Sequence, residues 1–370
     1  MNNNIKIVLN TLMVTALAFG FMHHLVPAVG QPINFERLHI FLFNLCSGGT
    51  ILLYHTENQG RLTQRTTLFL ALAFAYAILA FLHLYIPAMI VSLLLALLVE
   101  IIRVRRFSFL PLNIFSRATP VSIKFHHAAL LCLSLGLIIS SLVILNNEYL
   151  KLLTMKKLQL DTFFLGFSFP ISLITMSVMF SLMEEEREKE NGYCFWKNFG
   201  FWSVNLGVIV FFLLILFEKL LPQVGVTFIL FFTVVLIFYL FEKQGKKNQQ
   251  KYFLTSGMVF LLFTAITGIA YIILELLPSY DPQNMKFLLR VHSFASLYGW
   301  NLTGLAVICR QQDFPIQLHS RTIIVLHWLT VIILAPLGHF TPIFAMIATV
   351  FYGIILYFIF YSRSATGSLT

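Results

Sequence analysis

Two long apolar segments of this chain open with the same short pattern: FERLHIFLFNLCSGGTILLYH at residues 35–55 and FLLRVHSFASLYGWNLTGLAVI at 287–308. In each segment an arginine stands two residues before a histidine, Arg37 before His39 and Arg290 before His292. Ionisable side chains are costly inside a membrane and normally face the protein interior or a functional site. The repeated pattern therefore predicts that two helices present matched side chains to one buried group.

Composition places the chain among polytopic membrane proteins. Of its 370 residues, 58% are hydrophobic and only 11% are charged, and stretches of about 20 apolar residues recur along the whole length. We predict an all-α integral membrane protein with about 12 transmembrane helices that form a single domain over residues 1–370. The predicted spans lie near 5–29, 36–55, 66–84, 86–102, 125–146, 160–183, 197–217, 222–242, 252–277, 286–309, 321–338 and 341–362.

The net charge of +10 predicts an orientation in the membrane and not an affinity for nucleic acid. With twelve spans, both termini share a side with the loops that follow even-numbered spans. Those loops carry 16 Lys and Arg residues, against 7 on the opposite side. By the positive-inside rule we expect both termini in the cytoplasm, in a multi-pass protein of the bacterial inner (cytoplasmic) membrane surrounded by lipid.

The two motifs are eight spans apart, which permits a repeat of four helices over about 1–110, 120–245 and 250–365. Parallel repeats related by an axis along the membrane normal are a known way to build large membrane proteins. In the middle repeat the equivalent span reads QLDTFFLGFSFPISLITMSVMF, with Thr162 or Phe163 at the histidine position. We therefore predict three pseudo-repeated four-helix arcs.

Low-spin heme iron is the leading candidate for the buried group. It takes two axial nitrogens from opposite sides, usually two imidazoles that are oriented by outer hydrogen bonds. His39 and His292 are the predicted iron ligands of one b-type heme. The alternative is two interior histidines that bond to backbone carbonyls or to each other.

Arginines and glycines of the two segments are further candidates for the cofactor site. Arg37 and Arg290 would meet the heme propionates, but an offset of two residues turns each about 200° away from its histidine. The alternatives are snorkelling to the interface and, for Arg290, a buried ion pair with Glu275. Small residues allow a flat macrocycle or a neighbouring helix to approach closely, and here they are Gly48, Gly49 and Gly299.

Other histidines also collect at the predicted outer end of the spans. This end holds His23, His24, His39, His83, His292 and His339, whereas the inner end holds His55, His126, His127 and His319. A second cofactor near His23, His24, His83 and His339, either a metal ion or a quinone, is one interpretation. Ordinary interfacial side chains are the preferred interpretation.

The sequence resembles subunit I of the heme-copper oxidases, most closely the cytochrome-c-linked oxidases and nitric oxide reductases. RVHSFASLYGW at 290–300 is similar to that family's tenth helix, and RLHIFLFNLCSGGT at 37–50 is similar to its second helix. The resemblance implies twelve spans in three arcs, with His39 and His292 as the ligands of the low-spin heme. Residue matches are confined to these two helices.

Departures from the family pattern are equally specific. Arg290 occupies the position of the histidine that binds the family's high-spin heme, and the sixth and seventh predicted spans have no histidine to bind copper. A single heme b without copper is therefore expected. The resemblance implies an electron-transfer protein or respiratory subunit and not a terminal oxidase, with quinol, a periplasmic cytochrome or another subunit as redox partner.

Three other functions remain open from the sequence. A permease would use Arg37, Arg290, Glu275 and the outer histidines to line a substrate path, with broken helices and a site near the midplane. A heme- or metal-handling accessory protein would bind its ligand reversibly. A gas reductase with unorthodox ligands would bind carbon monoxide when reduced.

Overall fold

The structure, a computed structural model, describes residues 3–26, 33–57, 60–155, 157–158, 164–183, 192–281, 283 and 285–365. Within these ranges the chain forms helices joined by short connections, and no strand is present. The predicted all-helical class is therefore confirmed. Thr162 and Phe163, which were predicted at the position equivalent to the histidines, lie outside the described residues.

Twelve long helices, named α1 to α12, follow one another in the described part of the chain. The first six are α1 Asn3–Gly20, α2 Phe35–Glu57, α3 Gln64–Phe81, α4 Tyr85–Arg106, α5 Val121–Leu150 and α6 Leu165–Ser181. The second six are α7 Tyr193–Leu216, α8 Leu220–Gln244, α9 Gln249–Glu275, α10 286–309, α11 Ser320–Gly338 and α12 Pro342–Tyr361. Nine of these are long and apolar enough to cross a membrane, all except α1, α6 and α10.

Three helices form the centre of the molecule. The helices α2, α6 and α10 contact one another, and the other helices pack around them. Among the nine candidate spans, α2 has the lowest mean hydropathy and is the most buried. In its most apolar stretch 78% of the residues are buried, against 17% in α7. This is the distribution expected in lipid, where the outer helices need apolar surfaces and polar side chains are tolerated in the interior.

Each central helix contains a π-helical stretch, and α5 and α11 contain one as well. The central stretches are Leu42–Gly49, Phe164–Ser168 and Ala295–Asn301. In α2 and α10 the stretch begins three residues after His39 and His292 respectively. Such turns are rare and occur frequently at functional sites.

Polar side chains join the three π-helical stretches inside the bundle. The Asn301 side-chain amide donates to Ser168 Oγ over 3.2 Å and lies 3.5 Å from Asn44 Oδ1. One residue earlier, Trp300 Nε1 donates to Ser172 Oγ over 2.7 Å. These contacts hold α2, α6 and α10 in a fixed mutual register.

A charged network ties α4 to α5. Arg103 is 3% exposed, and its Nη2 lies 2.6 Å from Glu100 Oε2. Its Nη1 donates to His127 Nε2 over 2.9 Å, and Ser134 Oγ donates to Glu100. The arginine thus neutralises a carboxylate that would otherwise carry an uncompensated charge.

We expect Arg103→Gln to lower the free energy of unfolding by about 2 kcal/mol, since removing one partner of a buried pair leaves the other charge unpaired. The denaturation midpoint in sodium dodecyl sulfate, measured in one detergent, would report the loss. Arg105→Gln is the matched control because Arg105 is exposed on the same helical turn. Equal midpoints for the two variants would contradict a stabilising role of the network.

Candidate functional site

The two histidines predicted to be iron ligands line the same cavity. It has a volume of about 270 Å³ and is bounded by residues of α2, α10 and neighbouring helices, including both His39 and His292. Arg290 and His339 also line this cavity. The sequence pattern therefore identified two residues, 253 positions apart, that the fold brings to one cavity.

His292 is oriented by the backbone of α9. Its Nδ1 lies 3.0 Å from the Thr264 carbonyl oxygen and 3.3 Å from Thr267 Oγ1. A ring that donates from Nδ1 to a carbonyl carries its lone pair on Nε2, which is the usual state of a metal-binding imidazole. A Cβ atom at Gly268 would lie only 3.1 Å from His292 Cε1, so the absence of a side chain there gives the ring its space.

His39 is held in the interior with an unsatisfied nitrogen. The residue is 7% exposed, and its Nδ1 is buried without a hydrogen-bond partner among the described residues. The ring packs on Gly20 of α1, where a Cβ atom would lie 3.4 Å from His39 Cγ. The backbone carbonyls of Phe35 and Glu36, one turn earlier in α2, lie close to this ring.

Other unsatisfied polar atoms lie on the central helices and beside Tyr298. The Tyr298 ring lies 6.3 Å from the His39 ring and nearly parallel to it, at 15°. Within the described residues several buried atoms of this region make no hydrogen bond: Tyr298 Oη, Tyr352 Oη, Asn44 Nδ2 and Asn301 Oδ1. Native interiors contain few such atoms, and their concentration at the centre of the bundle indicates a place for a bound group or water.

The two predicted arginines lie in different environments. Arg290 borders the histidine cavity, and its Nη2 donates to Glu36 Oε1 over 2.8 Å. The alternative pairing of Arg290 with Glu275 is wrong: Glu275, the last residue of α9, lies 4.0 Å from Lys157 Nζ in the α5–α6 connection. Arg37 is not among the residues that line the histidine cavity.

Arg37 instead lines a second, larger cavity of about 570 Å³ between α2, α3 and α5. Charged and polar residues surround part of this space: His23, Glu36, Arg37, His83, Asn147 and Glu148. Neither predicted iron ligand belongs to its wall. The larger cavity is thus adjacent to the histidine cavity but separate from it. Glu36 lines the larger cavity, and its partner Arg290 lines the histidine cavity.

The three glycines predicted near a cofactor provide close contacts between helices. A Cβ atom would lie 2.7 Å from Ile171 at Gly48, 2.9 Å from Phe69 at Gly49 and 2.5 Å from Phe260 at Gly299. None of the three lines the histidine cavity. The glycines that touch the two imidazoles are Gly20 and Gly268, single residues in α1 and α9 that no sequence motif marked.

Several other histidines form two separate clusters. His23, His24 and His339 lie together, with the tilted rings of His24 and His339 centred 4.2 and 4.6 Å from that of His23. In the second cluster His55 stacks on His126 at 5.2 Å, and His126 Nε2 lies 2.8 Å from Thr56 Oγ1.

Comparison of the chain with protein-family models, with curated proteins and with solved structures gives no match. The functional conclusion therefore depends on the geometry of the site and on the residues that form it.

Proposed function

We propose that this protein is a membrane b-type cytochrome of the heme-copper oxidase subunit I type. It transfers one electron at a time through a single low-spin heme held by His39 and His292. The observation that carries the proposal is that these two imidazoles, from two different central helices, line one cavity. Bis-histidine ligation from two helices is a common arrangement for such hemes.

The side chains around the cavity have distinct roles in this proposal. Thr264 fixes the tautomer of His292 through the bond to Nδ1, and His39 would supply the second nitrogen to the iron. Arg290 supplies a cation at the edge for a propionate. The heme supplies the one-electron redox chemistry. At 270 Å³ the cavity is slightly smaller than usual ligand sites of about 300–1,000 Å³, so wall side chains must move on binding.

The proposal includes the architecture: twelve spans in three four-helix arcs, in a bacterial inner membrane, with both termini cytoplasmic. Two features support it. The second helix of each proposed arc, α2, α6 or α10, lies at the centre and has a π-helical stretch. The stretches of α2 and α10 also begin at the same offset from their histidines.

Electron transfer is proposed in preference to oxygen or nitric oxide reduction because the chain lacks the residues for a reactive metal pair. The sixth and seventh predicted spans contain no histidine, and Arg290 stands where a second heme ligand would be required. Quinol, a periplasmic cytochrome or another respiratory subunit would then donate or accept the electron.

Visible spectroscopy of detergent-purified protein tests this function. We expect one heme b per chain, with sharp bands after dithionite reduction that do not change under carbon monoxide, since both axial positions are occupied. Spectral change under carbon monoxide would favour a gas-binding site. Heme-free protein that cannot be reconstituted would overturn the cytochrome proposal.

Gly268 of α9 packs against the His292 ring and limits the space around it. In Gly268→Val the new Cβ atom alone would lie 3.1 Å from the His292 ring, so the ring must shift. We expect the heme content to fall at least about fivefold, because changes to residues that orient a metal ligand weaken metal binding. Gly353→Val is the control, because a Cβ atom there meets Val14 at an ordinary 3.7 Å. Equal heme content in the two variants would argue against the assigned position of the ligand.

A permease is the second candidate, and the larger cavity favours it. That space of about 570 Å³ has Arg37, Glu36 and Glu148 in its wall, and ionisable groups inside a membrane often mark a substrate path. Heme-free purified protein that moves a charged solute into liposomes, with loss of transport in Arg37→Gln, would support it. A stoichiometric heme and no transport would exclude it.

A further inference from the structure

Three side chains from separate elements meet at the end of the bundle near the two cavities. His23 lies in the short helical turn Met22–His24 after α1, Glu36 lies in the first turn of α2, and His339 directly follows α11. Each offers one ligand atom, and these atoms all lie within 4.8 Å of one another. All three residues are half-buried.

The hydrogen bonds of His23 prepare it to bind a metal ion. Its Nε2 lies 2.8 Å from the backbone carbonyl oxygen of His339, so this nitrogen carries the proton and donates. The lone pair is then on Nδ1, which is buried and has no hydrogen-bond partner among the described residues. An imidazole that donates one nitrogen to a carbonyl and leaves the other unpaired is the usual form of a metal ligand.

Glu36 and His339 supply the other two donors. Arg290 Nη2 binds Oε1 of Glu36 at 2.8 Å, which orients the carboxylate and leaves Oε2 for an ion. The His339 ring offers one of its nitrogens to the same point.

We propose that His23, Glu36 and His339 bind a divalent transition-metal ion, for which Zn²⁺ is the best match. Two imidazoles and one carboxylate, with a fourth position left for water, form a ligand set that zinc commonly takes. An ion equidistant from three atoms 4.8 Å apart lies about 2.8 Å from each. Each ligand atom must therefore move toward the ion by less than about 1 Å to reach the usual zinc–ligand distance of about 2.1 Å. The Glu36 carboxylate offsets the nearby positive charge of Arg290.

At this position the ion would cross-link three elements through its ligands: the end of α1, the start of α2 and the end of α11. It would lie between the two cavities, because His23 and Glu36 line the larger one while His339 lines the histidine cavity. The site uses neither His39 nor His292, so it does not depend on the proposed heme.

Zinc binding to full-length protein without a polyhistidine tag tests the proposal. After treatment with EDTA, Zn²⁺ is titrated in competition with a chromogenic chelator into wild type, His23→Gln, Glu36→Gln and His339→Gln. The control is His24→Gln: this ring is centred 4.2 Å from that of His23, but its Nε2 bonds to the Gly338 carbonyl and it is not one of the three ligands. A monodisperse elution profile shows that each variant is folded.

We expect one Zn²⁺ per wild-type chain, affinity lowered at least about tenfold in each of the three ligand variants, and wild-type affinity in His24→Gln. Glu36→Gln keeps the shape of the side chain and is the variant least able to disturb the fold. Wild-type protein without a stoichiometric site would overturn the proposal. Equal weakening in His24→Gln, or unchanged affinity in Glu36→Gln, would overturn it as well.

Discussion

Purified His292→Ala is expected to contain at least about tenfold less heme than the wild type, and His39→Ala is expected to behave in the same way. Changes to residues that only orient a metal ligand already cost 10–100-fold in metal affinity, and these variants remove the ligand itself. Heme per chain, determined from the pyridine complex after purification under identical conditions, measures the loss.

His126→Ala is the matched control for this pair. His126 is a buried histidine that bonds to another helix, from α5 to Thr56 of α2, but it lies at the opposite end of the bundle. We expect it to keep its full complement of heme. Loss of heme in all three variants would mean that the effect comes from general damage to the bundle, and retention in His292→Ala would exclude His292 as a ligand.

Gly136→Val is expected to have the largest effect on folding among the single substitutions outside the site. A Cβ atom at Gly136 of α5 would lie 2.7 Å from the Gly166 carbonyl oxygen and nearer still to its Cα. Backbone atoms of α6 cannot rotate away as a flexible side chain can. We therefore expect a loss of about 3 kcal/mol, at the upper end of the usual cost of overpacking, or failure to accumulate in the membrane.

The same substitution at Gly225 separates the close contact from the change in residue type. Gly225 lies within α8, and a Cβ atom there would have no neighbour within 4 Å. Denaturation midpoints of the two variants in one detergent give the comparison. A midpoint for Gly136→Val as high as that for Gly225→Val would contradict the close approach of α5 and α6.

The sequence was sufficient to predict the helical class and the segments that form the helices, because apolar stretches of membrane length are a strong signal. The three helices that are not long and apolar enough to be candidate spans are α1, α6 and α10. Two of these, α6 and α10, lie at the centre. An interior helix needs no apolar surface toward lipid, and in α10 the apolar pattern is interrupted by Lys286 and Arg290.

The repeated motif was enough to predict that His39 and His292 line one cavity, whereas the ion pairs could not be predicted. Glu36 is adjacent to the first motif, yet only the packing of α2 against α10 shows that it meets Arg290 at 2.8 Å. The meeting of His23 with His339, which are 316 residues apart, likewise depends on how α1 and α11 end. Sequence spacing carries no information on such contacts between distant elements.

Electron paramagnetic resonance of the oxidised, purified protein tests the central claim most directly, since it reports the spin state that two strong axial ligands impose on heme iron. We predict a single low-spin ferric signal in the wild type, replaced by a high-spin signal in whatever heme His292→Ala retains. A high-spin signal in the wild type, or a low-spin signal unchanged in His292→Ala, would contradict ligation by His39 and His292.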